Sequence, residues 1–361
     1  MKQIKKILVI VQRSNGDVLL SSPLINKLYE YYADCQIDLL INDDTKAIAS
    51  TLQNIRDFKL YSYSWKKQGK LNRLKNEFSL VKSIYKKYDL SINLTASDRS
   101  VLYSVLASPY SISAIEMESN KSWWKKLFLN KSYIFDTSKH IVLNNTSALN
   151  LLNISSDKVI TSSVYSNEAK YSVLDKLKKE NIEKFIVFHP SAQYDYKIYP
   201  KQSRNELLEK LNGLNIPVII TGANSEIDLR IKSELPKLAN VYDFIGKTNL
   251  DEYIALSDLS LCYVGMDTLN MHIAASQNKR VFAIFGPTIL NTWSPWSNSL
   301  QSATSTNMPK QTYDNITLFQ ANMDCVACGF AGCDDKHGKS DCLYDIKSED
   351  IFDEVKSWLI K

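Results

Sequence analysis

The sequence predicts an α/β fold of two Rossmann-like, doubly wound domains facing a cleft, and three observations predict it. Short apolar runs alternate with longer amphipathic segments along most of the chain. The runs are too uniformly apolar to lie half exposed, which is the mark of parallel strands covered by helices on both faces. They gather into two groups, one before about residue 115 and one between residues 185 and 285. A chain of 361 residues is also long for a single core.

In chain order the predicted strands are KILVIV (6–11), IDLLI (37–41), LSINLT (90–95), FIVFH (185–189), PVIIT (217–221), VYDFI (241–245), LSLCYV (259–264) and RVFAIF (280–285). Asn15-Gly16 would ordinarily signal a hairpin, but VLLSSPLINKLYEYY follows with apolar residues at helical spacing. The unit therefore reads strand, glycine loop, helix. NELLEKL (205–211) and LDEYIALS (250–257) are helical on the same ground. Between the strand groups the chain is irregular, charged and rich in Asn, Ser and Lys, which puts the junction near residues 155 to 180. The expected division is one domain over 1–165, a second over 166–345 carrying a Cys-rich segment (325–342), and a closing helix over 346–361. That helix, begun by Ser348 as a cap, is expected to pack back on the protein.

Hydrophobic residues make up 44% of the chain, so it is globular. The basic, then apolar N-terminus resembles a secretion signal, but ILVIV is shorter than the roughly 7 to 15 residues of a signal core. No run approaches the roughly 18 apolar residues of a membrane span. The expectation is a soluble, cytoplasmic protein, in which Asn93-Leu94-Thr95 and Asn153-Ile154-Ser155 are chance glycosylation triplets. A net charge of +5 favours anionic partners only weakly. KSWWKKLFLNKS (121–132) reads either as a helix with lysines outside and aromatics inside, or as a face resting on an anionic membrane. No nucleic-acid motif accompanies it.

Ligands of open parallel sheets bind at the carboxyl ends of the strands, so the loops there carry the candidate chemistry. Asp17 reads as a helix cap or as a general base, with Gly16 letting the loop turn close to a ligand. Asp267 and Thr268 precede a helix whose free N–H groups suit a phosphate, or else they simply cap it. His272 has no metal-spaced partner and reads as a packed helix residue. Lys197 is a solvated charge or a cation for a diphosphate leaving group, and Glu226 a surface charge or an acceptor for ribose hydroxyls.

Of six cysteines, Cys35 and Cys262 lie in or beside apolar segments and read as buried thiols. Cys325, Cys328, Cys333 and Cys342 crowd together with His337 between them. In a cytosolic chain that density argues against disulfides and leaves structural zinc or reduced thiols as the alternatives. The spacing matches neither common ferredoxin pattern.

Taken in order, NGDVLLSSP, FHPSAQ with KIYP, IIT with GANSE, IGKTNLDEYIALSDLSLCYVGMDTLNMHIAA and VFAIFGPT resemble the lipopolysaccharide heptosyltransferase family, glycosyltransferase family 9. The resemblance runs from residue 6 to about 350. It implies the two-domain GT-B fold, with the acceptor held by the 1–165 domain and the nucleotide sugar by the 166–345 domain, and inverting, metal-independent transfer of heptose from ADP-heptose to a lipopolysaccharide or lipooligosaccharide core sugar. The implied acceptor is lipid-linked, which places the protein at the inner face of the inner membrane. By the same resemblance Asp17 is the general base of a motif ending at Pro23, and Lys197 holds the diphosphate in a motif whose tryptophan is Tyr199 here. Glu226 falls at the ribose, Thr248 at the adenine, and Asp267, Thr268 and His272 at the diphosphate. Ser14, Asn15, Gly16 and Ser191 complete the implied nucleotide-sugar contacts. Leu269 stands where the family has glycine and Asn270 where it often has proline. The alternatives are another nucleotide sugar as donor, a nucleotide-sugar epimerase of like architecture, and a non-catalytic scaffold.

Overall fold

KILVIV is apolar after its first residue and largely β-branched, and it forms the strand β1 (Lys6–Val11) with its last five residues buried. The computed structural model describes residues 4–360. They divide into two units, one ending at Ser163 and the other starting at Val164.

The first unit continues with α1 (Asn15–Leu19), α2 (Ser22–Tyr31), β2 (Gln36–Asn42), α3 (Lys46–Ala49), β3 (Ile55–Tyr61) and α4 (Lys70–Ile84). It closes with β4 (Leu90–Asn93), α5 (Asp98–Ala107), β5 (Ser111–Ile115), α6 (Ser119–Phe128), β6 (Lys131–Ile134) and α7 (Ile141–Leu151). The six strands are parallel, in the order β3-β2-β1-β4-β5-β6. The chain thus starts at the sheet centre and winds out to both sides. The order reverses between β1 and β4, where open sheets of this kind bind ligands.

The second unit runs α8 (Asn167–Lys179), β7 (Ile186–His189), α9 (Lys201–Asn212), β8 (Val218–Ile220), α10 (Glu226–Ser233), β9 (Val241–Asp243), α11 (Leu250–Leu259) and β10 (Cys262–Met266). It ends with α12 (Leu269–Ser276), β11 (Arg280–Ile284), α13 (Leu290–Trp293), β12 (Lys310–Tyr313), β13 (Ile316–Phe319), α14 (Cys342–Asp345) and α15 (Ser348–Leu359). Its sheet has the order β12-β13-β11-β10-β7-β8-β9, with only the β12–β13 pair antiparallel. Here the reversal falls between β7 and β10.

Phe188, Val264, Phe282 and Ile284 from the sheet meet Leu207 and Leu211 of α9 and Ile351 and Val355 of α15 in one buried core. Each such side chain contributes roughly 1.5–3 kcal/mol by leaving water. α15 lies on α9. Ser348 is not its cap: Lys347 holds that position, and the Ser348 hydroxyl turns to Glu206 at 3.2 Å.

The differences from the sequence reading have physical reasons. The stretch taken as irregular contains α6, β6 and α7. β6 (KSYI) and β3 (IRDFKLY) are edge strands with partly exposed side chains, so neither shows a continuous apolar run. LSLCYV spans the end of α11 and the start of β10 rather than one strand. KSWWKKLFLNKS keeps Lys121, Lys126 and Lys131 outside and turns Trp124 inward, but it departs from the helix reading in burying Lys125 and exposing Trp123 and Phe128. Among the described residues no helix is long and apolar enough to cross a membrane.

Candidate active site

At the carboxyl end of β1 the chain passes through Gln12 to Ser14 and enters α1. The Gln12 amide donates to Thr95 Oγ1 beyond β4 at 3.0 Å, and Asn42, ending β2, donates through Nδ2 to the Arg13 carbonyl at 3.2 Å. Ser14 takes the cap position of α1, so Asp17 is its third residue and not a cap. Asp17 is only 4% exposed. Its Oδ2 accepts from the Ser14 hydroxyl at 2.6 Å and the Ser14 amide at 3.2 Å, while Arg13 Nε lies 2.8 Å from Oδ1. The Arg13 guanidinium also sits over the Phe135 ring, 5.1 Å from its centre. Ser14 and Asn15 are exposed and Gly16 is half-buried. A carboxylate held this way keeps one orientation, and the Ser14 hydroxyl is the donor that can rotate aside to open Oδ2. Sequence reasoning missed Arg13, Asn42 and Thr95; their only signal was their place at the ends of strands.

The second group forms at the β7/β10 reversal. Lys197, in a short turn after β7, donates from Nζ to Asp267 Oδ2 at 2.8 Å, with side chains only 24% and 8% exposed. Burial opposes both charges, but their mutual attraction outweighs it. It lifts the Lys197 ammonium above the ordinary lysine range and holds the Asp267 carboxyl below the usual carboxylate range. Behind Asp267, Thr268 stands at the cap of α12 in extended conformation, yet its side chain makes no capping bond. The first N–H groups of α12 therefore remain free at the edge occupied by Lys197, with the positive end of the helix dipole. Leu269 opens α12 as an ordinary helical residue, so its backbone needs none of glycine's freedom.

Two buried histidines lie at this edge. Burial pushes both His189 and His272 from 6.5 down to about 4, against the opposing field of nearby carboxylates. His272 Nδ1 has no hydrogen-bond partner. His189 Nδ1 lies 3.0 Å from Thr221 Oγ1 and accepts from Asn270 Nδ2 at 2.9 Å. Asn270 thereby ties the first turn of α12 to the end of β7, a role the sequence did not reveal. A side chain on Gly265 would collide with the His189 carbonyl oxygen, so β10 and β7 approach each other closely there. Because both histidines bind a proton less readily folded than unfolded, the stability they confer is complete above about pH 6.5 and is lost as pH falls towards 4. The expected loss is on the order of 3 kcal/mol for each. Calorimetric melting between pH 7 and 4.5 is expected to show a steep fall in Tm, flattened by about half in His272→Gln.

The loop bearing Lys197 is gripped from both flanks. Tyr194 stacks on Tyr196 with ring centres 5.4 Å apart, and His337 packs on both at 5.5 Å. Ser340 Oγ donates to the Tyr196 carbonyl at 2.6 Å, and the Tyr199 hydroxyl donates to the Ile346 carbonyl at 2.7 Å. Ser191 is buried just after β7, Glu226 is exposed at the first position of α10, and Thr248 is half-buried in the loop after β9. Gly246, at φ 73°, bonds through its amide to the Gly222 carbonyl at 2.9 Å. A side chain there would overlap Asn224, so the loops leading to Glu226 and Thr248 lie side by side. The structure brings Lys197, Asp267, Thr268 and His272 together and leaves Glu226 and Thr248 in these neighbouring loops.

Of the two alternatives at the cysteine cluster, structural zinc is not supported. Cys325, Cys328 and Cys333 are exposed on an irregular segment, whereas Cys342 turns into the core at the start of α14. Burial and the neighbouring thiols push the Cys342 thiol up to about 11. Among the described residues no three His, Cys, Asp or Glu side chains converge as a metal would require.

Residues 77–320 match the family model described as glycosyltransferase family 9 (heptosyltransferase). Over 294 residues the chain is 30% identical to lipopolysaccharide heptosyltransferase 3 of Escherichia coli K12, covering 80% of this chain and 84% of that protein. In fold it is similar to a glycosyl transferase family 9 structure from Veillonella parvula, at TM-score 0.76 and 16% identity over 100% and 99% of the two chains. It is also similar to Escherichia coli heptosyltransferase WaaC with ADP, at TM-score 0.74 and 16% identity over 98% and 99%. The matched span begins in α4, takes in β4 to β6 of the first sheet and the whole of the second, and runs through Lys197 and Asp267. The chain belongs to glycosyltransferase family 9, the heptosyltransferases, and is a glycosyltransferase built on two Rossmann-like units in the GT-B architecture.

Proposed function

We propose that the protein transfers heptose from ADP-heptose to a core sugar of lipopolysaccharide or lipooligosaccharide, with inversion and without a catalytic metal. The observation that carries this reading is the buried Lys197–Asp267 pair beside the open N-terminus of α12. A fixed cation and free helix amides suit a diphosphate, on which negative charge grows as the leaving group departs. The acceptor oxygen attacks the anomeric carbon as the bond to the diphosphate breaks, and the electron pair leaves with ADP. Asp17 takes the acceptor proton as general base, and one displacement inverts the centre. Glu226 serves the ribose and Thr248 borders the adenine. The adenine nucleotide is suggested by the neighbour solved with ADP, and the acceptor class by the lipopolysaccharide heptosyltransferase 3 relative. A lipid-linked acceptor puts the enzyme in the cytoplasm, in peripheral contact with the inner membrane.

Calorimetric titration with ADP, UDP and GDP tests the reading. Selective binding of ADP is expected; preference for UDP or GDP replaces the donor within the same enzyme class, and binding of none of the three overturns the transfer reading.

A further inference from the structure

From β3 to β4, β5 and β6 the chain steps in one direction across the first sheet, so right-handed crossovers set α4, α5 and α6 side by side on one face. α5 packs against α4 on one side and α6 on the other. The outer surface of this layer is unusual in what it exposes. On α4, Leu71, Leu74 and Phe78 recur at helical spacing and are 82%, 62% and 70% exposed, forming an apolar stripe with nothing over it. On α6, Trp123, Leu127 and Phe128 are 62%, 72% and 63% exposed. Lys125 meanwhile is fully buried, with Nζ bonded to the Ala96 carbonyl at 2.6 Å and paired with Glu116 at 2.7 Å and Asp98 at 2.8 Å. Of the large apolar side chains on this helix, Trp124 turns inward, onto Val101, Ile115 and Leu129.

Charge surrounds the stripe. Residues 66–87 carry eight lysines and arginines against the single carboxylate Glu77, a net of +7, where the whole chain has +5. Glu77 is already paired with Arg73 at 3.1 Å. Lys121 and Lys126 continue the positive border at α6, where Glu118 pairs with Lys121 at 3.3 Å.

We propose that the outer face of the α4–α5–α6 layer docks the protein on an anionic lipid bilayer, with the apolar crest in the headgroup region and the lysines on lipid phosphates. The inference names the surface of the membrane contact and is independent of the donor site. Apolar residues on a convex crest, ringed by long-stemmed lysines, match a fluid interface that closes around them. A second copy meeting this face through a two-fold axis would set like charge against like charge. Leu71 and Leu74 offer nothing to the phosphates or base edges of a nucleic acid.

The full chain would be sedimented with vesicles of pure phosphatidylcholine and with vesicles containing about one-third phosphatidylglycerol, at low and high salt. Binding is expected to the anionic vesicles at low salt, at least about tenfold weaker without the anionic lipid or at high salt. Leu71→Ser/Leu74→Ser/Phe78→Ser and, separately, Trp123→Ala/Leu127→Ser are each expected to weaken binding about tenfold, with circular dichroism and ADP affinity unchanged. These residues are exposed, so the variants fold. Absence of binding to anionic vesicles overturns the proposal, as does undiminished binding by both variants. A dimer in sedimentation velocity that the α4 variant dissociates overturns it in favour of a second copy. A protein that binds vesicles but no nucleotide upholds the docking face and refutes the transfer reading alone.

Discussion

Asp17→Asn is expected to lower kcat about a thousandfold, since a positioned general base contributes roughly 10² to 10⁴. The substitution keeps shape and leaves an amide oxygen to accept from Ser14, so α1 keeps its start. Arg13 loses the carboxylate 2.8 Å away but keeps the Phe135 ring. Folding is therefore expected to change little. ADP release in the presence of acceptor reports turnover, and calorimetry on the same variant reports ADP affinity. Near-normal affinity with collapsed turnover assigns proton removal to Asp17. Turnover at the wild-type rate would pass that role to another group.

The second large effect is expected at Lys197. Lys197→Ala removes the cation proposed for the diphosphate and is expected to lower kcat/KM at least a hundredfold, as loss of a charged group aimed at developing charge does. It also strands Asp267, 8% exposed, without its partner. Breaking a buried pair from one side destabilises by about 3–5 kcal/mol, so Tm should fall as well. Lys197→Met/Asp267→Asn separates the two effects, because it removes both charges. The double variant is expected to regain most of the stability and none of the ADP affinity, read by thermal melting and titration. Recovery of ADP affinity would show that Lys197 serves only to neutralise Asp267.

Much of this was legible in the sequence because the central strands are buried on both faces. β1, β7 and β8 read as apolar runs, and the loops at their carboxyl ends were found with them. Edge strands such as β3 and β6 escaped because exposure on one side erases that run. Asp17 was visible by its place after β1, but its grip by Arg13 and Ser14 was not.

What the sequence determined by itself is the two-sheet architecture, the family and the identity of the residues at the strand ends, since these follow from local pattern and order. The tertiary structure decided which of them meet. Lys197 and Asp267 are 70 positions apart and Asn270 and His189 are 81, so only the pairing of β7 with β10 joins them. It also sent Lys125 inward and left Trp123 and Leu127 outside, and it buried Cys342 while leaving the other three clustered cysteines exposed. Local composition is blind to such choices. They depend on what the rest of the chain packs against each face, and Lys125 goes inside because the Ala96 carbonyl, Asp98 and Glu116 wait there to satisfy its charge.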